Sequence, residues 1–160
     1  MRTTGQRLRG RRCQRGVAAV ELAFLLVLLL LIAAGIFEFG RAFWYYNALA
    51  KATRDGARAM SMAPAASIAS TGVPDVRARV VVVANAANVR PALAGGQVEI
   101  LCDGGACSDG TVPTQVRVAI AGYSINIGGI FPFFSAASYS TFSIPGVSLA
   151  PHTTMRYMLN

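Results

Sequence analysis

From Leu22 to Phe37 the chain carries neither a charged residue nor a proline. Counted from Val17, this stretch has about the length that a helix rising 1.5 Å per residue needs to cross a hydrocarbon core of roughly 30 Å. It reads as a transmembrane helix. The rest of the composition agrees, since 54% of the 160 residues are hydrophobic, a high share for a soluble protein. Beyond such a helix the chain has room for one modest domain.

The net charge of +8 would ordinarily point to nucleic acid or an anionic surface. Its distribution argues otherwise, because Arg2, Arg7, Arg9, Arg11, Arg12 and Arg15 all precede the apolar run, leaving nine basic against seven acidic groups in the remainder. The basic character belongs to a leader, so nucleic acid is not an expected partner. Short cytoplasmic flanks are rich in Lys and Arg, which puts the N-terminus in the cytosol and the chain after about Phe39 across the membrane. Phe39, Phe43, Trp44, Tyr45 and Tyr46 supply the aromatic belt expected at the far interface, although ordinary helix packing would use the same residues.

Helical periodicity continues past the membrane surface. Phe39, Phe43, Tyr46, Ala50, Thr53, Ala57 and Met60 recur at threes and fours, while Lys51, Arg54, Asp55 and Arg58 share another face. One helix is expected from about Val17 to about Met62, broken by Pro64 and the small-residue stretch Ala65 to Gly72. Between Val76 and Ala94, Arg77 and Arg79 followed by Val80 to Val83 fit a strand, whereas the Ala/Asn-rich continuation fits a second helix; the helix is preferred. Gln97 to Cys102, Thr114 to Ala121 and Ser148 to Met158 read as strands separated by Gly-rich or Pro-rich turns. An apolar loop, Phe131-Pro132-Phe133-Phe134, should tuck against the sheet or face a partner.

The most informative stretch is Arg15-Gly16-Val17-Ala18-Ala19-Val20-Glu21-Leu22. A basic segment ends in glycine, and a lone carboxylate follows five residues later at the head of the apolar run. An ionised side chain well inside a bilayer costs about 2.5–3.5 kcal/mol on insertion scales, so Glu21 is a functional candidate; at headgroup level it would instead favour the helix N-terminus through the dipole.

The combination of Arg-rich leader, Gly16, small apolar residues, Glu21 and long hydrophobic helix resembles the class III or type IV prepilin signal. The resemblance implies cleavage between Gly16 and Val17 by a prepilin peptidase, and pairing of Glu21 with the N-terminal amine of a neighbouring subunit. More narrowly, Gly16 to Ala23, Glu38-Phe39-Gly40-Arg41 and Ala52-Thr53-Arg54-Asp55-Gly56-Ala57-Arg58 look like the head of TadE-like pseudopilins. Val116 to Ala119 with Tyr123, Phe131-Pro132-Phe133-Phe134 and the strand through Thr154-Met155-Arg156 is similar to their tail, leaving roughly residues 65 to 110 uncovered. Leu22 stands where major Tad pilins carry tyrosine, which implies a minor subunit, and the length argues against the larger TadG-like relatives.

The expected architecture is α+β and pilin-like. A basic cytoplasmic leader (1–16, cleaved) precedes a transmembrane helix (17–38), a periplasmic extension of that helix (39–62) and a small head with an antiparallel sheet (63–160). The implied function is assembly of a Tad-type pilus at the bacterial inner membrane, with the head periplasmic or carried into an extracellular pilus. The implied partners are other pilin subunits, the prepilin peptidase, the inner-membrane assembly platform and the lipid bilayer. A secreted or signal-anchored periplasmic binding protein is the alternative, since Ala33-Ala34-Gly35 loosely fits an ordinary signal-peptide cleavage site. Against the secreted form stand Glu21 and the amphipathic continuation from Phe39.

Cys102 and Cys107 bracket Asp103-Gly104-Gly105-Ala106, a spacing that lets a hairpin-like loop close through a disulfide in an oxidising compartment; free thiols are the other reading. Two sulfurs and one histidine, His152, make a zinc site a poor expectation, and Asp103 and Asp109 lack the ligand alternation of a calcium loop. No catalytic triad spacing or phosphate-cradling glycine loop is present. Neither an enzyme nor a cofactor or metal is expected, and His152 reads as a surface or strand-end residue.

Overall fold

The computed structural model describes residues 14–127 and 144–158. The basic leader with Cys13, and the apolar loop Phe131-Pro132-Phe133-Phe134, lie outside the described residues. In chain order the elements are helix α1 (Gln14–Ser61), a 3-10 turn (Ala65–Ser67), a π turn (Ile68–Gly72), helix α2 (Val73–Ala86), a 3-10 turn (Gly95–Gln97) and strands β1 (Val98–Cys102), β2 (Gln115–Ile120), β3 (Ser124–Ile127), β4 (Ile144–Ser148) and β5 (His152–Arg156). The fold is mixed α+β with antiparallel sheets, as the sequence predicts.

The chain divides into two units, Met1–Phe37 and Glu38–Asn160, and α1 contributes residues to both. The described part of the first unit is helix alone. From Gly16 to Phe37 its side chains are exposed apart from Ala33 and Ala34, which are half-buried. Among the described residues nothing covers the apolar run, and the helix is long and apolar enough to be a single-pass membrane anchor.

In the second unit α1 packs against α2 and against the sheet β1-β2-β5. Register follows side-chain alternation: Val98, Ile100 and Cys102 face inward opposite Ile120, Val118 and Val116, and Val118 and Val116 in turn face Thr153 and Met155 of β5. Glu99, Arg117, Thr154 and Arg156 point to solvent. Helix α2 buries Val76, Val80 and Ala84, spaced i, i+4 and i+8, so the helical reading of this segment holds. Its first turn carries Pro74, whose missing N–H suits that position, and Asp75 beside the positive end of the helix dipole.

Two expectations are corrected. The stripe of α1 that packs is Tyr45, Leu49, Ala52, Thr53, Gly56, Ala57 and Met60, while Phe39, Phe43 and Tyr46 are exposed. As expected, α1 ends at Ser61, before Pro64, and Ala65 to Gly72 forms two short turns that lead into α2. The long strand expected from Ser148 to Met158 is two strands of different sheets: β4 ends at Ser148 and pairs with β3, and β5 starts at His152 and pairs with β2. Between them, Pro151 keeps its carbonyl available and accepts from the Ile120 amide at 3.0 Å.

The β1–β2 connection begins with a tight reversal. Asp103 and Gly104 have φ of 51° and 85°, and Cys102 and Gly105 exchange backbone hydrogen bonds of 2.8 and 3.0 Å, the geometry of a type I′ turn for which Asp-Gly is suited. The Asp103 carboxylate accepts from the Thr114 and Gln115 amides at 2.9 Å each, holding the end of the loop at the start of β2.

Candidate functional site

Glu21 stands on α1 one turn after Val17. Four residues of helix rise about 6 Å, so Val17, Val20, Glu21, Phe24, Leu25 and Leu28 share one open face. Glu21 is exposed, and among the described residues it takes part in no hydrogen bond or ion pair. A Cβ built on Gly16 would meet nothing within 4 Å. The face is thus apolar with one carboxylate, and an ionised side chain there is costly unless a cation pairs with it.

A second constellation lies at the start of the other unit, where the sequence showed only Glu38-Phe39-Gly40-Arg41. Glu38 is 5% exposed, and Arg41 donates to its Oε2 from Nη2 at 2.6 Å and from Nε at 3.2 Å. The same Nη2 donates to the Asn126 carbonyl of β3 at 2.7 Å, and the guanidinium carbon lies 5.8 Å from the centre of the Tyr45 ring. Tyr123, fully buried beside this group, donates its hydroxyl to the Pro91 carbonyl at 2.7 Å. Burial pushes the Tyr123 phenol above its ordinary pKa and Tyr45 adds to this, while Arg41 pulls the other way. Arg41 therefore compensates a buried carboxylate and ties α1 to β3. An opposite-charge pair at i, i+3 was the available signal in the sequence; that its partner strand would be β3 was not readable.

The stretch Ala52 to Arg58 divides by face. Ala52, Thr53, Gly56 and Ala57 are buried, with the Thr53 hydroxyl 3.1 Å from that of Thr153 on β5, whereas Arg54 and Arg58 are exposed. At Gly56 a Cβ would come within 2.4 Å of Val80 Cγ2 and 3.4 Å of Val118 Cγ1, so glycine here lets α1, α2 and β2 meet.

Cys102 and Cys107 are bonded to each other, with Cα atoms 4.9 Å apart. Beyond Cys107, the Asp109 carboxylate accepts from the amides of Ala69 at 2.6 Å and Ser70 at 3.1 Å, and Gly110 donates to the Ala65 carbonyl at 2.8 Å. This loop satisfies amides at the start of the π turn that have no partner within it. Hydrogen bonds from the Ser70 hydroxyl, and then from the two amides, hold the Asp109 carboxyl below its usual pKa. The sequence offered no sign of this cap, because 40 residues separate Ala69 from Asp109. His152 is exposed at the first position of β5. Among the described residues no three His, Cys, Asp or Glu side chains gather as a metal site would require.

Taken together, the chain is of the class that joins one membrane-capable helix to a small α+β unit through a continuation of that helix. Residues 16–58 match the family described as TadE-like protein, which shows the TadE-like head read from the residues. The match takes in Gly16, Glu21, the Glu38–Arg41 pair and Gly56, and ends at Arg58. No curated protein and no solved structure matches the chain.

Proposed function

We propose that this protein is a minor pilin-like subunit for assembly of a Tad-type type IV pilus, made as a prepilin and trimmed between Gly16 and Val17 by a prepilin peptidase. The observation that carries the reading is the TadE-like match beginning at Gly16, on a helix whose apolar run is headed by one carboxylate, Glu21, with no partner among the described residues. After cleavage Glu21 is the fifth residue of the mature chain. The freed amine of a neighbouring subunit then pairs with it as helices stack. Opposite charges attract strongly where the dielectric is low, and such a pair sets register more than it adds net stability.

On this reading the leader stays in the cytosol, the anchor spans the inner membrane, and the second unit sits in the periplasm or travels into the pilus. Its partners are other pilin subunits, the peptidase and the assembly platform. The Cys102–Cys107 bond belongs to the same picture, because disulfides persist in that oxidising compartment.

The test is intact mass and N-terminal sequencing of the chain from cells with and without the peptidase, followed by Glu21→Ala. A mature start at Val17 only when the peptidase is present, with Glu21→Ala inserted in the membrane but absent from filaments, is the expected result. A start near Gly35, no cleavage, or normal incorporation of Glu21→Ala would refute the proposal.

A further inference from the structure

We propose that the Cys102–Cys107 bond is a redox-sensitive latch. Closed by oxidation, it positions the Asp109 clasp that holds the connection between α1 and α2, and its reduction loosens that connection. This concerns the second unit alone and rests on no part of the pilin reading.

The chain between β1 and β2 is held at three places. Cys102 is fixed in the ladder opposite Val116, and the Asp103 carboxylate fixes the far end of the loop through the Thr114 and Gln115 amides. The third place is the clasp, where Asp109 accepts from the Ala69 and Ser70 amides and Gly110 donates to the Ala65 carbonyl. Asp109 is exposed, so its position depends on these hydrogen bonds and on how closely its own chain is tethered.

The disulfide sets the tether. Cys107 packs half-buried against the core, its Cα 4.9 Å from that of Cys102. Asp109 follows two residues later, a span of at most about 7 Å. Without the bond the nearest fixed residue is Gly105, four residues from Asp109, or Cys102, seven residues away, once the Cys102–Gly105 turn frays. Closure probability falls as about the 3/2 power of chain length, so the clasp weakens by about three- to sixfold.

Ile68, within the clasped connection, is fully buried in the core. Ser67, Thr71 and Gly72 line an open cleft of about 590 Å³ together with Ala59, Asp75 and Arg79. The end of α1 is secured separately, because the Met158 amide donates to the Ser61 carbonyl at 3.0 Å and the Tyr157 hydroxyl donates to the Ala63 carbonyl. Opening the latch thus loosens one side of the cleft while α1 stays docked.

Asp103 to Ala106, the residues enclosed by the bond, are exposed, which leaves it within reach of a dithiol reductant. The dithiol supplies two electrons and two protons and becomes a disulfide, while Cys102 and Cys107 become thiols; a disulfide oxidant reverses the step.

The test is amide exchange of the full chain in detergent, oxidised and after dithiothreitol. Reduction should speed exchange at Ala69 and Ser70 by about three- to sixfold, with Val118 and Ile120 of β2 still slower than either. Cys102→Ser with Cys107→Ser should reproduce the rise without reductant. In Asp109→Ala the two amides already exchange fast, and reduction should add nothing there. Unchanged exchange at Ala69 and Ser70 on reduction overturns the proposal. So does an equal rise in Asp109→Ala, since the bond would then act without the clasp. Loss of protection at Val118 and Ile120 also overturns it, because the bond would then be a staple of the whole unit.

Discussion

Gly56 is the position where adding one carbon should reveal how closely the three layers of the second unit meet. In Gly56→Ala the new Cβ would lie 2.4 Å from Val80 Cγ2, against an optimum of about 3.5–4.0 Å for two carbons. Val80 cannot swing aside, since it is fully buried and a β-branched residue in a helix is held to one rotamer. Overpacking of this kind costs about 1–3 kcal/mol, and replacing a mid-helix glycine with alanine returns about 1 kcal/mol. The net expectation is a loss of about 1 kcal/mol. In a Val80→Ala background the obstructing methyl is gone, and the remaining neighbours, Val118 Cγ1 at 3.4 Å and Val76 Cγ1 at 3.5 Å, are ordinary contacts. The same Gly56→Ala change should then stabilise by about 1 kcal/mol, giving a coupling of about 2 kcal/mol across the pair. Denaturant midpoints of the full chain in detergent, followed by circular dichroism, measure all four corners of the cycle. Gly40→Ala, where a Cβ meets nothing within 4 Å, is the control for helix propensity alone. Stabilisation by Gly56→Ala in the unaltered chain, or a coupling near zero, would refute the close-approach argument.

Three further outcomes are expected. Arg41→Gln leaves the buried Glu38 carboxylate without its guanidinium and should destabilise by about 1–3 kcal/mol, whereas Glu38→Gln together with Arg41→Gln should recover much of the loss; both are read from denaturant midpoints in detergent. Asp109→Ala should speed amide exchange at Ala69 and Ser70. Because hydrogen bonding lowers the folded pKa of Asp109, its contribution is complete above the unfolded carboxyl value of about 4 and is lost as pH falls through the lower folded value; Asp109→Asn should abolish that dependence in acid melts. Cys102→Ser with Cys107→Ser should cost about 2 kcal/mol by the chain-entropy estimate for so short a loop, with the effect at its largest on exchange in residues 103–114.

The span from Leu22 to Phe37, the lone carboxylate at its head, the helical nature of α2 and the cores of β1 and β2 were legible because each depends on composition or local periodicity alone. A run of leucines has no ambiguity of face, and an Asp-Gly pair needs no distant partner to favour a tight turn. The strands β3 and β4 were missed for the opposite reason. Each is only four or five residues long, and β4 holds Pro145 and Gly146, so neither forms without the other across the intervening chain.

Which stripe of α1 would be buried was likewise decided by tertiary structure. The helix carries aromatics and small residues on several faces, so a count of large apolar residues favours Phe39, Phe43 and Tyr46. Close packing instead selects Leu49, Ala52 and Gly56, the face whose small side chains let α2 and β2 approach, and leaves the aromatics outward. The sequence alone determined that one helix can enter a membrane with a single acid at its head. Only the fold decided that Glu38 would be buried with Arg41, that Asp109 would cap amides 40 residues away, and that Trp44 would reach the Ala87 carbonyl, because each depends on contacts between segments remote in the chain.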